Sequence, residues 1–252
     1  IVFGDWSSDG GSSDLWETKS VNSITVNGQG QTPHTAAAVG QITGFQTTRD
    51  FDYVVGKAAA AYPKGLVDRF TRRILFVKPD AVVVWDTLAA PEPATFEWHL
   101  HACNEMAPVS DTSYRAVQGK AACLVEFLEP SGLRITQTDQ FDPPPRPRVK
   151  LVEYHLTAAT PDKRAAAEFV TVLRPHSAAA TLAGASTIET TDGGHLVTIP
   201  LPDGGRSRIF LNRNPGASLA LGGLETSAEA AVVRTDAQGR DTGRFVVGHP
   251  AP

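Results

Sequence analysis

The chain has 252 residues, of which 41% are apolar and 20% charged, with 22 glycines and 18 prolines. Its apolar side chains suffice to bury one sizeable core without disulfide or metal staples, while the turn residues are too many and the charges too few for a helical bundle. A formal net charge of −4 excludes a global field that would gather a polyanion, so binding of an acidic glycan would need a local basic patch.

The first residues are rich in Gly, Ser and Asp and carry Trp6 and Trp16. In such a loop, exposed aromatics can stack on sugar rings, and the plainer alternative is a clamp that pins the terminus to the core. The alanine run at 58–61 and the stretch 66–73 have room for one or two helical turns each, without the caps or length of a long helix.

From there on the pattern is of strands. Residues 74–77 and 81–85 flank Lys78-Pro79-Asp80, which predicts a tight hairpin. Residues 95–103 alternate Phe96, Trp98 and Leu100 with Glu97, His99 and His101, the period of a strand with one buried face. Residues 121–128 and 133–138 flank Glu129-Pro130-Ser131-Gly132, which predicts a second hairpin. Residues 149–157 and 168–174 read as strands, and the prolines at 142–148 as an extended surface loop. Residues 195–201 and 206–212 surround Pro202-Asp203-Gly204-Gly205, and 230–235 pairs with 243–247 across Ala237-Gln238-Gly239. The predicted fold class is therefore all-β, an antiparallel β-sandwich built largely of meanders, with residues 1–252 as a single domain.

Cys103 and Cys123 fall on segments that could neighbour one another, leaving open a disulfide in an oxidising compartment or two buried free thiols. No apolar run approaches the roughly 20 residues of a membrane span, and no signal peptide is present, so no membrane partner is expected. No nucleic-acid motif appears either. The chain opens on Ile1 rather than Met, as a processed product or a fragment would. There is no Gly-x-Ser-x-Gly elbow, no phosphate loop, and no pair of carboxylates that the sequence singles out.

One string is more specific. Thr18-Lys19-Ser20-Val21-Asn22-Ser23-Ile24-Thr25-Val26-Asn27-Gly28-Gln29-Gly30-Gln31 resembles the strand and turn of the heparinase II/III-like polysaccharide lyases. Tyr62, Arg72-Arg73-Ile74-Leu75-Phe76, Lys78-Pro79-Asp80, Val82-Val83-Val84-Trp85-Asp86 and Phe96-Glu97-Trp98-His99-Leu100-His101 follow in the order of that family, so the resemblance covers roughly residues 1–175. It implies the C-terminal, supersandwich-like part of an exported lyase, periplasmic or secreted. Such enzymes cleave alginate, heparin or heparan sulfate by β-elimination, and their sandwich follows an α/α toroid.

Elimination needs a base for the proton α to the uronate carboxylate, a group that neutralises that carboxylate, and an acid for the leaving oxygen. In the family most of these come from the toroid, and the sandwich adds a histidine and a zinc site. The toroid and the His-x-His-x-Asp segment that opens the family's sandwich are both absent from this chain, and Val21 stands where the family places a metal-binding His. The expectation is therefore no catalytic residue, no family-type zinc and no cofactor within these residues.

Substrate contact is the role expected for Trp16, Asn22, Arg72, His99 and His101, with an acidic polysaccharide or oligosaccharide as ligand. His99 and His101 share one strand face and, with Asp86, could meet one metal or one substrate; the alternative is a hydrogen-bonded polar face. Arg69, Arg72 and Arg73 form the densest basic cluster, and on a strand Arg72 and Arg73 point to opposite faces. Tyr62, Tyr154 and His155 are further proton-transfer candidates. A sandwich lacking its toroid should expose an apolar face, which predicts association with the helical partner or with a second copy in a homodimer. Two readings follow: the sandwich part of a lyase, or a non-catalytic carbohydrate-binding or structural module.

Overall fold

A computed structural model describes residues 17–140 and 153–248. Trp6, Trp16, residues 149–152 and the proline-rich loop at 142–148 lie outside the described residues. The first strands are β1 (Ile24–Val26), β2 (Gln41–Thr47), β3 (Phe51–Lys57), β4 (Arg69–Val77), β5 (Ala81–Ala94) and β6 (Phe96–Ala102). They are followed by β7 (Ala107–Ser110), β8 (Ser113–Gln118), β9 (Ala121–Glu129), β10 (Arg134–Thr138), β11 (Tyr154–Ala159) and β12 (Arg164–Ser177). The last are β13 (Thr187–Thr191), β14 (Gly194–Pro200), β15 (Arg206–Asn212), β16 (Leu219–Leu221), β17 (Leu224–Thr226), β18 (Ala230–Thr235) and β19 (Asp241–Val247). All paired strands are antiparallel, and the described residues hold short 3-10 turns but no α-helix.

The strands form three layers. An eight-stranded sheet, in the order β2-β3-β4-β5-β12-β9-β8-β7, is the middle one. A four-stranded sheet (β1-β6-β11-β10) packs on one face and a five-stranded sheet (β13-β14-β15-β18-β19) on the other, with the β16–β17 hairpin on its outer side. This places the all-β sandwich predicted from the sequence in a double form, two cores sharing one sheet. The first core contains Ile24, Phe70, Leu88, Phe96, Trp98 and Phe169; the second contains Tyr53, Leu75, Trp85, Val172, Ile209 and Val232. It explains why Val83-Val84-Trp85 runs apolar without alternation, since at these positions the central strand β5 is buried on both faces.

The two outer sheets are staggered. The four-stranded sheet covers β4 and β5 at Phe70, Leu88 and Ala90, whereas the five-stranded sheet covers the opposite face nearer the β4–β5 turn, at Leu75, Val77, Ala81 and Val83. Among the described residues, neither outer sheet covers one quadrant of the large sheet. Ile74 and Phe76 share the face of Phe70 by period, and the register sets Val54 beside Ile74 and Val82 beside Phe76. Ile42 and Phe45 extend this apolar strip at 71% and 60% exposure.

The hairpins predicted around residues 78–80, 202–205 and 237–239 all form. The one predicted at 129–132 does not, because β9 lies between β12 and β8 in the large sheet and β10 lies beside β11 in the small one. Glu129-Pro130-Ser131-Gly132 instead carries the chain from layer to layer. Turn residues report a change of direction and are silent about which sheet the next strand joins. The helical turn anticipated within 66–73 is overruled by tertiary packing, since β4 already begins at Arg69 and Phe70 enters the core; only Ala59–Ala61 makes a 3-10 turn. Cys103 and Cys123 are free and half-buried, which removes the disulfide alternative.

The resembling string at 18–31 owes its residue types to close packing. Asn27 and Gly28 have φ of 51° and 73°, the left-handed pair of a tight turn that links Val26 to Gln29. The Asn27 side chain accepts the Thr95 N–H at 3.0 Å and its own N–H donates to the Thr95 carbonyl at 2.8 Å, fixing the point where the chain crosses from β5 to β6. At Gly30 a Cβ would come within 2.4 Å of the Thr18 side chain, whose Oγ1 accepts the Gln31 N–H at 2.6 Å.

One buried ion pair anchors the connection to the five-stranded sheet. Glu126 accepts the Ser186 N–H and hydroxyl at 2.7 and 2.6 Å, and Arg174, 3.7 Å from Glu126, donates to the carbonyls of Gly184 and Pro200. Removing one partner of such a pair leaves an uncompensated buried charge and costs about 3–5 kcal/mol. Urea denaturation of Arg174→Met should show a loss of that size, whereas Arg244→Met, which breaks an exposed pair with Asp241, should cost under about 1 kcal/mol.

Candidate functional site

The predicted contacts Asn22, Arg72 and His101 meet at one corner, where the loop before β1 crosses the ends of β4 and β6. Asn22 Oδ1 accepts the His101 backbone N–H at 2.9 Å and lies 3.0 Å from His101 Nδ1, and the Asn22 carbonyl accepts Arg72 Nη1 at 2.6 Å. Arg72 also grips Asp86 with two parallel bonds, Nε to Oδ1 at 2.7 Å and Nη2 to Oδ2 at 2.9 Å, and its guanidinium lies over Phe70 and Trp98. Asp86 is fully buried and takes a third bond from Trp98 Nε1 at 2.9 Å. This corrects the idea that Asp86 joins the histidines, because it points into the core from β5 while His99 and His101 point away from the core on β6.

The outer face of the four-stranded sheet gathers those histidines. The register sets His155 of β11 opposite His101, and Thr157 opposite His99. His99 is buried, with Nε2 at 2.8 Å from Thr25 Oγ1 and Nδ1 at 3.2 Å from Thr157 Oγ1; the Thr25 hydroxyl also donates to Glu97. His101 places Nε2 at 2.8 Å from the Lys19 carbonyl and stands edge-to-face with His155, ring centroids 4.7 Å apart. Burial pushes both His99 and His101 down to about 4, with repulsion from neighbouring His155 adding to it. Neutral imidazoles with engaged nitrogens make this face a hydrogen-bonded polar surface more than an acid–base device.

The family's zinc does not fit here. Val21 is 43% exposed at the turn before Asn22 and offers no donor atom, and among the described residues no three of His, Cys, Asp and Glu converge at metal-binding geometry. Tyr62 is equally unsuited as a base: it lies buried, its hydroxyl donates to the Ile24 carbonyl, and burial raises it to about 12. Of the predicted contacts, Trp16 lies outside the described residues, His99 is enclosed, Arg72 is largely committed to Asp86 and Asn22, and Asn22 is the most exposed.

Arg72 and Arg73 do point to opposite faces. Arg73 donates to Glu229 at 2.9 Å and lies over Trp85, 4.4 Å from the ring centroid. Nearby, Glu168 joins His195 at 2.8 Å and Arg213 at 2.8 Å, and His195 Nδ1 lies 2.9 Å from Thr190 Oγ1. Despite the cost of burial, those bonds hold the Glu168 carboxyl at about 2. The sequence offered no signal for this cluster, whose members come from four separate strands or turns.

A cleft of about 290 Å³ opens beside Arg72, between the 18–31 segment and strands β2 to β4. Its floor is apolar, from Ile42, Val54, Phe70 and Ile74, and its rim carries Ser23, Gln31, Gln41, Lys57 and Arg72. Of these only Arg72 was singled out in the sequence, because the others come together only through strand register.

The sequence profile described as heparinase II/III-like, C-terminal, matches residues 12–164. No curated protein sequence matches the chain. Among solved structures, the heparan sulfate lyase HepC from Pedobacter heparinus is similar with a TM-score of 0.61 at 12% identity, over 78% of this chain and 31% of that one. A heparinase III gene product is similar at 0.57 and 14%, over 76% of this chain and 31% of its own. These likenesses bear on fold, and the chain spans under a third of the length of those enzymes.

Because His99 and His101 stay neutral down to about 4 when folded but protonate near 6.5 when unfolded, their stabilising effect is complete above pH 6.5 and is lost as pH falls toward 4. Urea midpoints measured between pH 7 and pH 4 should fall along this window, and replacing both residues with glutamine should flatten the slope. An unchanged slope in the double variant would assign the acid sensitivity elsewhere.

Proposed function

The chain belongs to the heparinase II/III-like, C-terminal family, and from that premise we propose that it is the β-sandwich domain of a lyase acting by β-elimination on uronate-containing polysaccharides. The match over residues 12–164 carries this reading. The chain contributes substrate contacts to a site completed by an α/α toroid, in a periplasmic or secreted enzyme.

The elimination breaks the bond between C4 and the glycosidic oxygen after loss of the proton α to the carboxylate. Nothing at the Asn22 corner is placed to take that proton, since Tyr62 is buried and both candidate histidines are held by neighbours. In this reading the base and acid come from the helical partner. The role left to the sandwich is to hold the sugar chain, with Arg72 at the rim of the cleft and the exposed Asn22 side chain at the corner beside it.

The bare apolar quadrant supports a partner on the face that also carries the cleft. Past the cleft floor of Ile42, Val54 and Ile74, the apolar strip continues through Phe45, Phe76 and Val82, a surface of the kind that monomers rarely leave in water. A second reading, a non-catalytic carbohydrate-binding or structural module, is favoured by Val21 and by the engaged state of the histidines.

An ultraviolet assay for the unsaturated uronate separates the two. The lyase reading expects product only when the 252-residue chain and the helical polypeptide are mixed; glycan binding without product in the mixture would support the module instead. In sedimentation velocity, the chain should associate with that polypeptide or with itself, and Phe45→Asp should weaken the association at least about tenfold by placing a charge in an apolar contact. A chain that stays monomeric and ignores the helical polypeptide would remove the toroid from the proposal.

A further inference from the structure

We propose that the cleft between the 18–31 segment and strands β2 to β4 is a subsite for one carboxylate-bearing sugar unit, with Lys57 as the cation that selects it. This rests on the lyase reading and specifies where, on this chain, the acidic residue of the polymer sits.

The cleft has the composition of a sugar site. Its volume of about 290 Å³ falls just below the roughly 300–1,000 Å³ typical of drug-sized sites, which suits a single ring. An apolar floor from Ile42, Val54 and Ile74 accepts the hydrophobic face of a pyranose, the Gln41 amide stands over it to meet ring hydroxyls, and Ser23 and Gln31, whose side chains also approach the Tyr62 hydroxyl, line its edge.

The choice of cation follows from what each candidate is already doing. Arg72 spends three of its five N–H groups on Asp86 and Asn22, and its charge is balanced by a fully buried carboxylate. Lys57 is exposed at the end of β3 and has no ion pair among the described residues. A flexible ammonium on the rim meets a carboxylate without first breaking a bond inside the protein.

Gly56 keeps the floor open. A Cβ there would meet nothing closer than the Gln41 carbonyl at 4.0 Å, so a side chain fits the backbone and would occupy the cleft instead. Gly56 sits opposite Arg72 on one side and Ile42 on the other, at the centre of the floor.

The test is calorimetric titration of the 252-residue chain with a heparosan tetrasaccharide, in which glucuronate alternates with N-acetylglucosamine. Parallel titrations use the same sugar after its carboxylates are reduced to alcohols. Lys57→Met should weaken binding about tenfold, as loss of one charge-assisted hydrogen bond does, and carboxyl reduction should weaken it equally without adding to the variant's effect. Gly56→Leu, with a urea midpoint within error of the parent, should abolish binding. Equal binding by parent and both variants would place the sugar elsewhere and overturn the cleft, as would equal binding of the reduced sugar or no binding by the folded parent. The ultraviolet assay keeps the two proposals apart. Product formed by the mixture with kcat/KM unaffected by either variant sinks the cleft alone, and Lys57-dependent binding without product in the mixture sinks the lyase reading alone.

Discussion

Every layer of this chain is organised by the burial of both faces of β5 and β12. Leu88 and Phe169 face one core from these strands while Trp85 and Val170 face the other, so a single pair of hydrogen-bonded strands supports two sandwiches. Fully burying side chains of this size stabilises by about 1.5–3 kcal/mol each, and the gain is available on both faces only because covering sheets exist on both. The outer sheets thus depend on the middle one, and a polar substitution on either central strand enters one core or the other according to the face it occupies.

The same stagger that builds the two cores decides where polarity can survive. Where the large sheet emerges from under the four-stranded layer, Arg72 is neutralised by Asp86 and stacked on Trp98; where it emerges from under the five-stranded layer, Arg73 is neutralised by Glu229 and stacked on Trp85. Two adjacent arginines on one strand therefore close the two sandwiches in the same way, on opposite faces. Their density in the sequence looked like a basic patch, but the fold uses most of that charge internally.

Much of the strand pattern was legible, and the reason it was legible explains what was not. Alternation in 95–103 and the turn chemistry at 78–80 are local properties, so β6 and the β4–β5 hairpin could be drawn from residues alone. The crossing at 129–132 could not, because a Pro-Ser-Gly turn has the same residues whether the next strand returns or changes layers. At the site, the pairing of His99 and His101 on one face was a matter of period, but the arrival of His155 and Thr157 beside them depends on β11 choosing β6 as its neighbour. Asp86 illustrates the converse: it lies close in sequence to the histidines yet faces the opposite side of the small sheet, toward Trp98.

The string that links this chain to its family is thus mainly a device of construction. Asn27, Gly28 and Gly30 are held by a left-handed turn and a close approach to Thr18, and Asn22 ties the loop before β1 to Arg72 and His101. Residues fixed by such geometry hold the fold whatever stands at the neighbouring position, so Val21, exposed in the turn before Asn22, is accommodated without disturbing it. What the construction produces is an edge: the 18–31 segment ends the covered part of the large sheet, and immediately beyond it lie an apolar strip and a cleft with one cation not paired to any carboxylate among the described residues. A polymer following that edge would meet the sandwich on one side and whatever covers the strip on the other, so contact residues and docking residues are neighbours by necessity.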